Sequence, residues 1–127
     1  MSRQPTISVA LATYNGARFL GEQLESLAKQ TTLPLEVVVC DDGSTDATLD
    51  ILERWRQISP FPVHVHKNPT RLGFADNFLR AGSLCSGDLI AFCDQDDVWL
   101  PSKLARCAAH FQIDPELMLV SCNAWVT

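Results

Sequence analysis

What this 127-residue sequence lacks narrows it before anything else does. No apolar run approaches the roughly 20 residues that a membrane-spanning helix needs; runs such as Val37–Cys40 and Met118–Val120 stop after a few residues. Met1–Thr6 carries one Arg and no apolar stretch, so no signal peptide is expected there. Basic charge is scarce: ten Lys and Arg against fifteen Asp and Glu leave a net charge of −5. A nucleic-acid binder draws its affinity mainly from cations on phosphates, so no nucleic-acid partner is expected. The five cysteines (Cys40, Cys85, Cys93, Cys107, Cys122) form an odd set without a CxxC pair. Free thiols in a reducing compartment, and hence a cytoplasmic location, follow from that usage. Neither GxGxxG nor GxxxxGK[ST] occurs, which sets aside Rossmann redox enzymes and P-loop nucleotidases.

What is present is an ordinary globular composition, 46% apolar and 20% charged, of a length that suits a single unit. Strand-like and helix-like stretches alternate along it. Thr6–Ala12 (TISVALA) is a β-branched apolar run, broken by Asn15-Gly16. Leu20, Leu24, Leu27 and Ala28 then recur at helical spacing with Glu22, Glu25 and Lys29 between them. Leu35–Cys40 is a second strand, and Leu49, Leu52, Trp55 and Ile58 place one side of a second helix. Val63–Lys67 is a weaker strand; Phe74, Phe78 and Leu79 mark a third helix. Asp88–Cys93 (DLIAFC) is a buried strand, followed by a helix with Pro101 in its first turn and Leu104, Ala108 and Phe111 along one side. Met118–Cys122 is a last strand. Such alternation predicts an α/β fold, a mostly parallel sheet with helices on both faces. The apolar Ala124-Trp125-Val126 before Thr127 leads us to expect an incomplete domain, the N-terminal part of something longer.

In a parallel sheet, ligands bind at the carboxyl ends of the strands. Three polar loops fall there: Ala12–Asn15, Asp41–Asp46 and Asp94–Asp97. Asp94, Asp96 and Asp97 crowd into four positions, and like carboxylates held close raise one another's pKa unless a cation neutralises them. Two roles are open to them: hard oxygen ligands for Mg²⁺ or Mn²⁺, or caps for the helix that follows. Ser44–Asp46 reads as helix-capping sequence, whereas Asp41 and Asp42 at the strand tip are free to accept hydrogen bonds from a base or ribose.

Taken in order, SVALATYN (residues 8–15), CDDGSTD (40–46), NPTRLG (68–73) and FCDQDDVWLP (92–101) resemble the family 2 glycosyltransferases of GT-A fold. The likeness runs from Thr6 to Trp125, and the CDQDDVWLP form is most similar to bacterial members that build cell-surface polysaccharides, many of them rhamnosyltransferases. The resemblance implies nucleotide-sugar contacts at Ala12, Thr13, Tyr14 and Asn15, with Asp42 on the base. It implies a DxD motif, Asp94-Gln95-Asp96, in which Asp94 and Asp96 hold the divalent ion, Mn²⁺ or Mg²⁺, that bridges the donor diphosphate. Relatives often carry Lys or Arg just before the Asn matching Asn77; here that residue is Asp76, so the basic contact passes to Arg71 or is lost. The implied activity is transfer from a UDP- or dTDP-linked sugar to a glycan or lipid-linked acceptor, with inversion. The catalytic base is expected beyond Thr127. Homo-oligomer formation and peripheral attachment to the inner face of a membrane also fit such an enzyme.

Two other classes bear on the same residues. A phospho-accepting signalling domain needs its acidic pair after the first strand, where Ala12-Thr13-Tyr14-Asn15 stands, and a Lys where Cys122-Asn123 stands. A non-catalytic nucleotide-binding module would keep the same motifs. His64 and His66 alternate on one strand face without a third ligand near in sequence, His110 sits on a helix, and Cys40 and Cys93 close strands as small core residues. Trp99 is open between a core and a lid position.

Overall fold

The computed structural model of the chain describes residues 5–93 and 98–113. Eight elements alternate: β1 (Ile7–Thr13), α1 (Ala17–Ala28), β2 (Glu36–Asp41), α2 (Thr48–Ile58), β3 (Val63–Lys67), α3 (Phe74–Ser83), β4 (Leu89–Cys93) and α4 (Lys103–Ile113). The described strands form one sheet in the order β3-β2-β1-β4, with every pairing parallel. The chain thus steps outward from β1 to β3 and then crosses back to β1's other side. Right-handed crossovers require that reversal to move the connecting helix to the opposite face. Accordingly α1, α2 and α4 contribute to one apolar cluster with Val9, Leu11, Val37 and Val39, while α3 packs on Ala10 and Cys40 across the sheet. Every residue of β1 and β2 is buried, as expected of strands covered on both faces. The Met118–Cys122 strand lies outside the described residues.

Two helices depart from their apolar pattern. Leu52 and Trp55 of α2 are buried as expected, but Ile58 at its end is 79% exposed. In α3 the buried residues are Asn77, Ala81 and Gly82, whereas Phe74 and Leu79 are each 65% exposed. The reason is local: Asn77 Nδ2 donates to the Cys40 carbonyl at 3.0 Å, and Gly82 lies against the Phe92 ring, so the small and polar side faces the sheet. Pro101 falls in the turn before α4 rather than in its first turn, and its carbonyl accepts from Thr31 N at 2.8 Å.

At the amino edge of the sheet a buried carboxylate joins four segments. Glu36 Oε2 accepts from Ser8 Oγ (2.7 Å), Ser86 N (2.7 Å) and Ser86 Oγ (2.9 Å), and His64 Nε2 lies 3.3 Å from Oε1. Gly87 completes the turn: a Cβ there would sit 2.7 Å from Ser8 N, so no larger residue fits. His64 therefore faces the Glu36 carboxylate across β2 and β3. Burial alone would raise the Glu36 pKa; the hydrogen bonds from Ser8 and Ser86 and the charge of His64 outweigh it and hold the carboxyl below its ordinary range. A depressed folded-state pKa stabilises at neutral pH and loses that contribution as the pH falls through the ordinary carboxylate range and below. Glu36→Gln is expected to destabilise the fold at pH 7 by about 1–3 kcal/mol, and to flatten the acid side of the stability profile, as read by urea unfolding across pH.

Candidate functional site

The site is assembled at the carboxyl edge, where the loops after β1 and β2 meet. Thr13 and Asp41 are register partners, and Thr13 Oγ1 donates to Asp41 Oδ1 at 2.7 Å. Asp41 also accepts from Gly43 N (3.2 Å), Ser44 N (2.8 Å) and Ser44 Oγ (2.6 Å), so its carboxylate is spent on shaping its own turn. Asn15 sits at φ 49°, a left-handed conformation that asparagine tolerates better than most residues. From there its Oδ1 accepts from Thr45 N (2.7 Å), and its own N–H donates to Ser44 Oγ (2.8 Å). The opening N–H groups of a helix have no partner within it. At the start of α1 they find theirs in the next loop: Gly16 N donates to Thr48 Oγ1 (3.0 Å) and Ala17 N to Asp46 Oδ2 (3.2 Å).

Asp42 reaches the other way, into the loop between β3 and α3. Its Oδ1 accepts from Leu72 N (2.7 Å) and Asn68 Nδ2 (3.0 Å), and its Oδ2 from Gly73 N (2.9 Å). Gly73 holds φ 90°, which a residue with a Cβ adopts only under strain, and this turns its N–H onto the carboxylate. Asn68 Nδ2 also donates to Asn77 Oδ1 (2.8 Å), which ties the loop to α3. Burial of Asp42 would raise its pKa, but the donors at Leu72, Asn68 and Gly73 and the Arg71 charge lower it, so the group is an anion. Arg71 projects from this loop. Its guanidinium stacks 4.0 Å from the Tyr14 ring centroid, Nη1 donates to Tyr14 Oη (3.1 Å), and Nε lies 3.9 Å from Asp42 Oδ2. Planar stacking of this kind suits arginine and not lysine.

These side chains enclose a cavity of about 170 Å³ lined by Ala12, Thr13, Tyr14, Asp42, Arg71, Phe74 and Asn77. Of the residues expected from the sequence, Ala12, Thr13, Tyr14, Asp42 and Arg71 come together here, while Asn15 stands outside the lining and laces the two loops. Arg71 is exposed but not a freely solvated arginine. Phe74 and Asn77 join the lining without having been singled out as ligand contacts; the amide at Asn77, set inside an otherwise apolar helix pattern, was the available signal. Asp94, Gln95, Asp96 and Asp97 lie outside the described residues. Cys93, which precedes them, is the register partner of Leu11, so the chain leaves β4 at the same edge as the cavity. Among the described residues no three metal-ligating side chains converge. Trp99 is a core residue, buried with Leu104 and Cys107.

Removing the Asp42 carboxylate strands two backbone donors and one amide. Asp42→Ala is expected to cost about 2–3 kcal/mol, within the range for buried groups deprived of partners, and to free Arg71 from the Tyr14 ring. Chemical denaturation and the near-ultraviolet signal of Tyr14, the one tyrosine in the chain, measure both.

Comparison with known proteins closes on one family. Residues 8–124 match the family described as glycosyl transferase family 2. The dTDP-rhamnosyl transferase RfbG of Shigella flexneri is 36% identical over 98 residues, covering 74% of this chain and 34% of that protein. The crystal structure of S. aureus TarS 1–349 in complex with UDP-GlcNAc superposes with a TM-score of 0.77 at 35% identity, over 85% of this chain and 31% of the other. The mannosyltransferase PcManGT of Pyrobaculum calidifontis, in complex with GDP-Man and Mn²⁺, gives 0.74 at 29% identity, over 82% and 31%. The chain spans about a third of the length of each of these proteins. A parallel sheet ordered β3-β2-β1-β4, the cavity at its carboxyl edge and the match over nearly all its length agree: this chain belongs to glycosyl transferase family 2.

Proposed function

We propose that the chain is the donor-binding part of a glycosyltransferase and that the cavity beside Asp42 receives the base and ribose of a UDP- or dTDP-linked sugar. The observation that carries this is the hydrogen-bond state of Asp42. A carboxylate offers about four acceptor positions, and the loop at 68–73 occupies three. The remaining one, on Oδ2, belongs to an ionised group that borders the cavity and suits an N–H of a pyrimidine. Ala12 and Thr13 form the floor, where small side chains let a planar ring approach the backbone, and Tyr14 and Asn15 complete the loop on that side. Arg71, already held flat by Tyr14, carries a cation at the rim where a phosphate oxygen can be met.

Asp94 and Asp96, with Gln95 between them, are assigned the divalent cation. Their carboxylates are the hard oxygen donors that Mn²⁺ and Mg²⁺ take, and Cys93 delivers the chain to the correct edge. Asp94 and Asp96 would hold the cation, which would supply positive charge against the diphosphate and the departing nucleotide. Binding of GDP-Man with Mn²⁺ by a relative of the same fold supports the assignment. The acceptor, a glycan or lipid-linked glycan, and the carboxylate base of an inverting transfer are assigned to the length of the relatives that this chain does not match. No helix among the described residues is long and apolar enough to cross a membrane. On the cysteine usage we assign the enzyme to the cytoplasm, with peripheral attachment to the inner membrane face and homo-oligomer formation as parts of the same reading.

Calorimetry with UDP, dTDP and GDP, each with Mn²⁺ and with EDTA, tests this. Binding that needs Mn²⁺, and that falls at least tenfold in Asp96→Asn while the fold is retained, is the expected result. Equal affinity with and without the metal, or no binding of any nucleoside diphosphate, overturns it.

A further inference from the structure

A large apolar side chain, Phe74, lines the cavity while lying 65% open to solvent at the first position of α3. Its place is set from both sides. Gly73 before it, at φ 90°, donates its N–H to Asp42 Oδ2 (2.9 Å), so the start of α3 is registered on that carboxylate. Asn77 N donates to the Gly73 carbonyl (2.9 Å), and Asn77 Nδ2 to the Cys40 carbonyl (3.0 Å). With Asn77 tied to β2, Phe74 one turn earlier borders the cavity and not the sheet. The ring itself is braced. Phe74 and Phe78 meet edge to face, with centroids 4.9 Å and planes 84° apart, and Phe78 meets Phe92 of β4 in the same manner at 5.7 Å and 77°. Three rings therefore run from the sheet to the mouth of the cavity, and the last of them is held without being covered.

Helix packing accounts for only part of this. An aromatic pair one turn apart explains the contact with Phe78, but not a ring that borders a polar cavity. Leu79 on the same helix is equally exposed at 65% and has no part in the lining, so exposure alone does not bring a side chain to the cavity. Tyr14, the other aromatic of the lining, already carries the Arg71 guanidinium 4.0 Å from its ring centroid. A ring has two faces, and one edge-to-face neighbour covers at most one of them. Phe74 thus offers a flat apolar surface beside an ionised carboxylate that accepts hydrogen bonds. A nucleobase has both complements: polar groups in its plane and a π face across it.

We propose that Phe74 is a base-stacking residue: its ring forms the wall against which the nucleobase of the donor lies flat. The proposal rests on the reading of the cavity as the seat of the base. Base–aromatic stacking is worth roughly 5- to 150-fold in affinity when the ring is cut to alanine. Calorimetry on the full chain with Mn²⁺ compares UDP with dihydrouridine diphosphate, whose reduced ring keeps its N–H and carbonyl groups but is puckered and has lost its π face. Variants are Phe74→Ala, Phe74→Leu and Phe74→Tyr, with Leu79→Ala as the equally exposed control and circular dichroism to verify folding. Phe74→Ala and Phe74→Leu should bind UDP roughly fivefold or more weakly, and Phe74→Tyr and Leu79→Ala as the parent does. The parent should prefer UDP to the dihydro compound by roughly fivefold or more, and Phe74→Ala by about twofold or less, since the two changes remove the same contact. If Phe74→Ala fails to fold, Phe74→Leu, which keeps the apolar bulk, decides the question. Parent-like UDP affinity in the folded variant, or an undiminished preference for UDP, overturns the stacking role alone. Failure of the parent to bind any nucleoside diphosphate overturns the reading of the cavity, and the stacking role falls with it.

Discussion

The hydrogen bond from Thr13 Oγ1 to Asp41 Oδ1 fastens the ends of β1 and β2 at the edge where the cavity opens, and the surrounding loops depend on the same kind of bond. Backbone N–H groups leaving a parallel sheet have lost their ladder partners and must find oxygen elsewhere. Here they find it on side chains of neighbouring loops: Asn15 serves the loop after β2, Asp46 and Thr48 serve the start of α1, and Asp42 serves the loop before α3. Among the described residues, no loop at this edge is shaped by its own residues alone. Such cross-service makes the cavity wall a single structure, and it explains why short polar residues cluster there.

The two edges of the sheet use anionic oxygen differently. At the amino edge Glu36 is enclosed by serines and a histidine, and its work is to join strands. At the carboxyl edge Asp41 does the same, while its sequence neighbour Asp42 holds the loop before α3 and lines the cavity. Two adjacent aspartates at a strand tip thus serve different loops, Asp41 the turn after β2 and Asp42 the loop before α3, because successive residues of an extended chain point to opposite sides.

The alternation of apolar runs made the α/β order legible, since strands buried on both faces must be apolar throughout and the helices between them must carry a stripe. The lining residues Ala12, Thr13, Tyr14, Asp42 and Arg71 were legible through resemblance of their motifs, not through spacing. What stayed hidden was side-chain traffic between distant segments. Nothing local to Gln23, Ser26 or Gln30 says that their partners lie some seventy residues on, because a polar residue on a helix reads as solvent-facing until packing is known. The same blindness placed Phe74 and Leu79 inside α3 when the Asn77 amide had claimed the inner side.

Helix α1 begins beside the cavity loops, where Asp46 and Thr48 accept from its opening N–H groups, and ends beside Leu100. Its twelve residues measure about 18 Å at the rise of an α-helix. The separation between the cavity loops and the turn before α4 is thus carried by a strut rather than by loop lengths. A rod pinned at both ends also couples them mechanically: a tilt that moves one end must move the other.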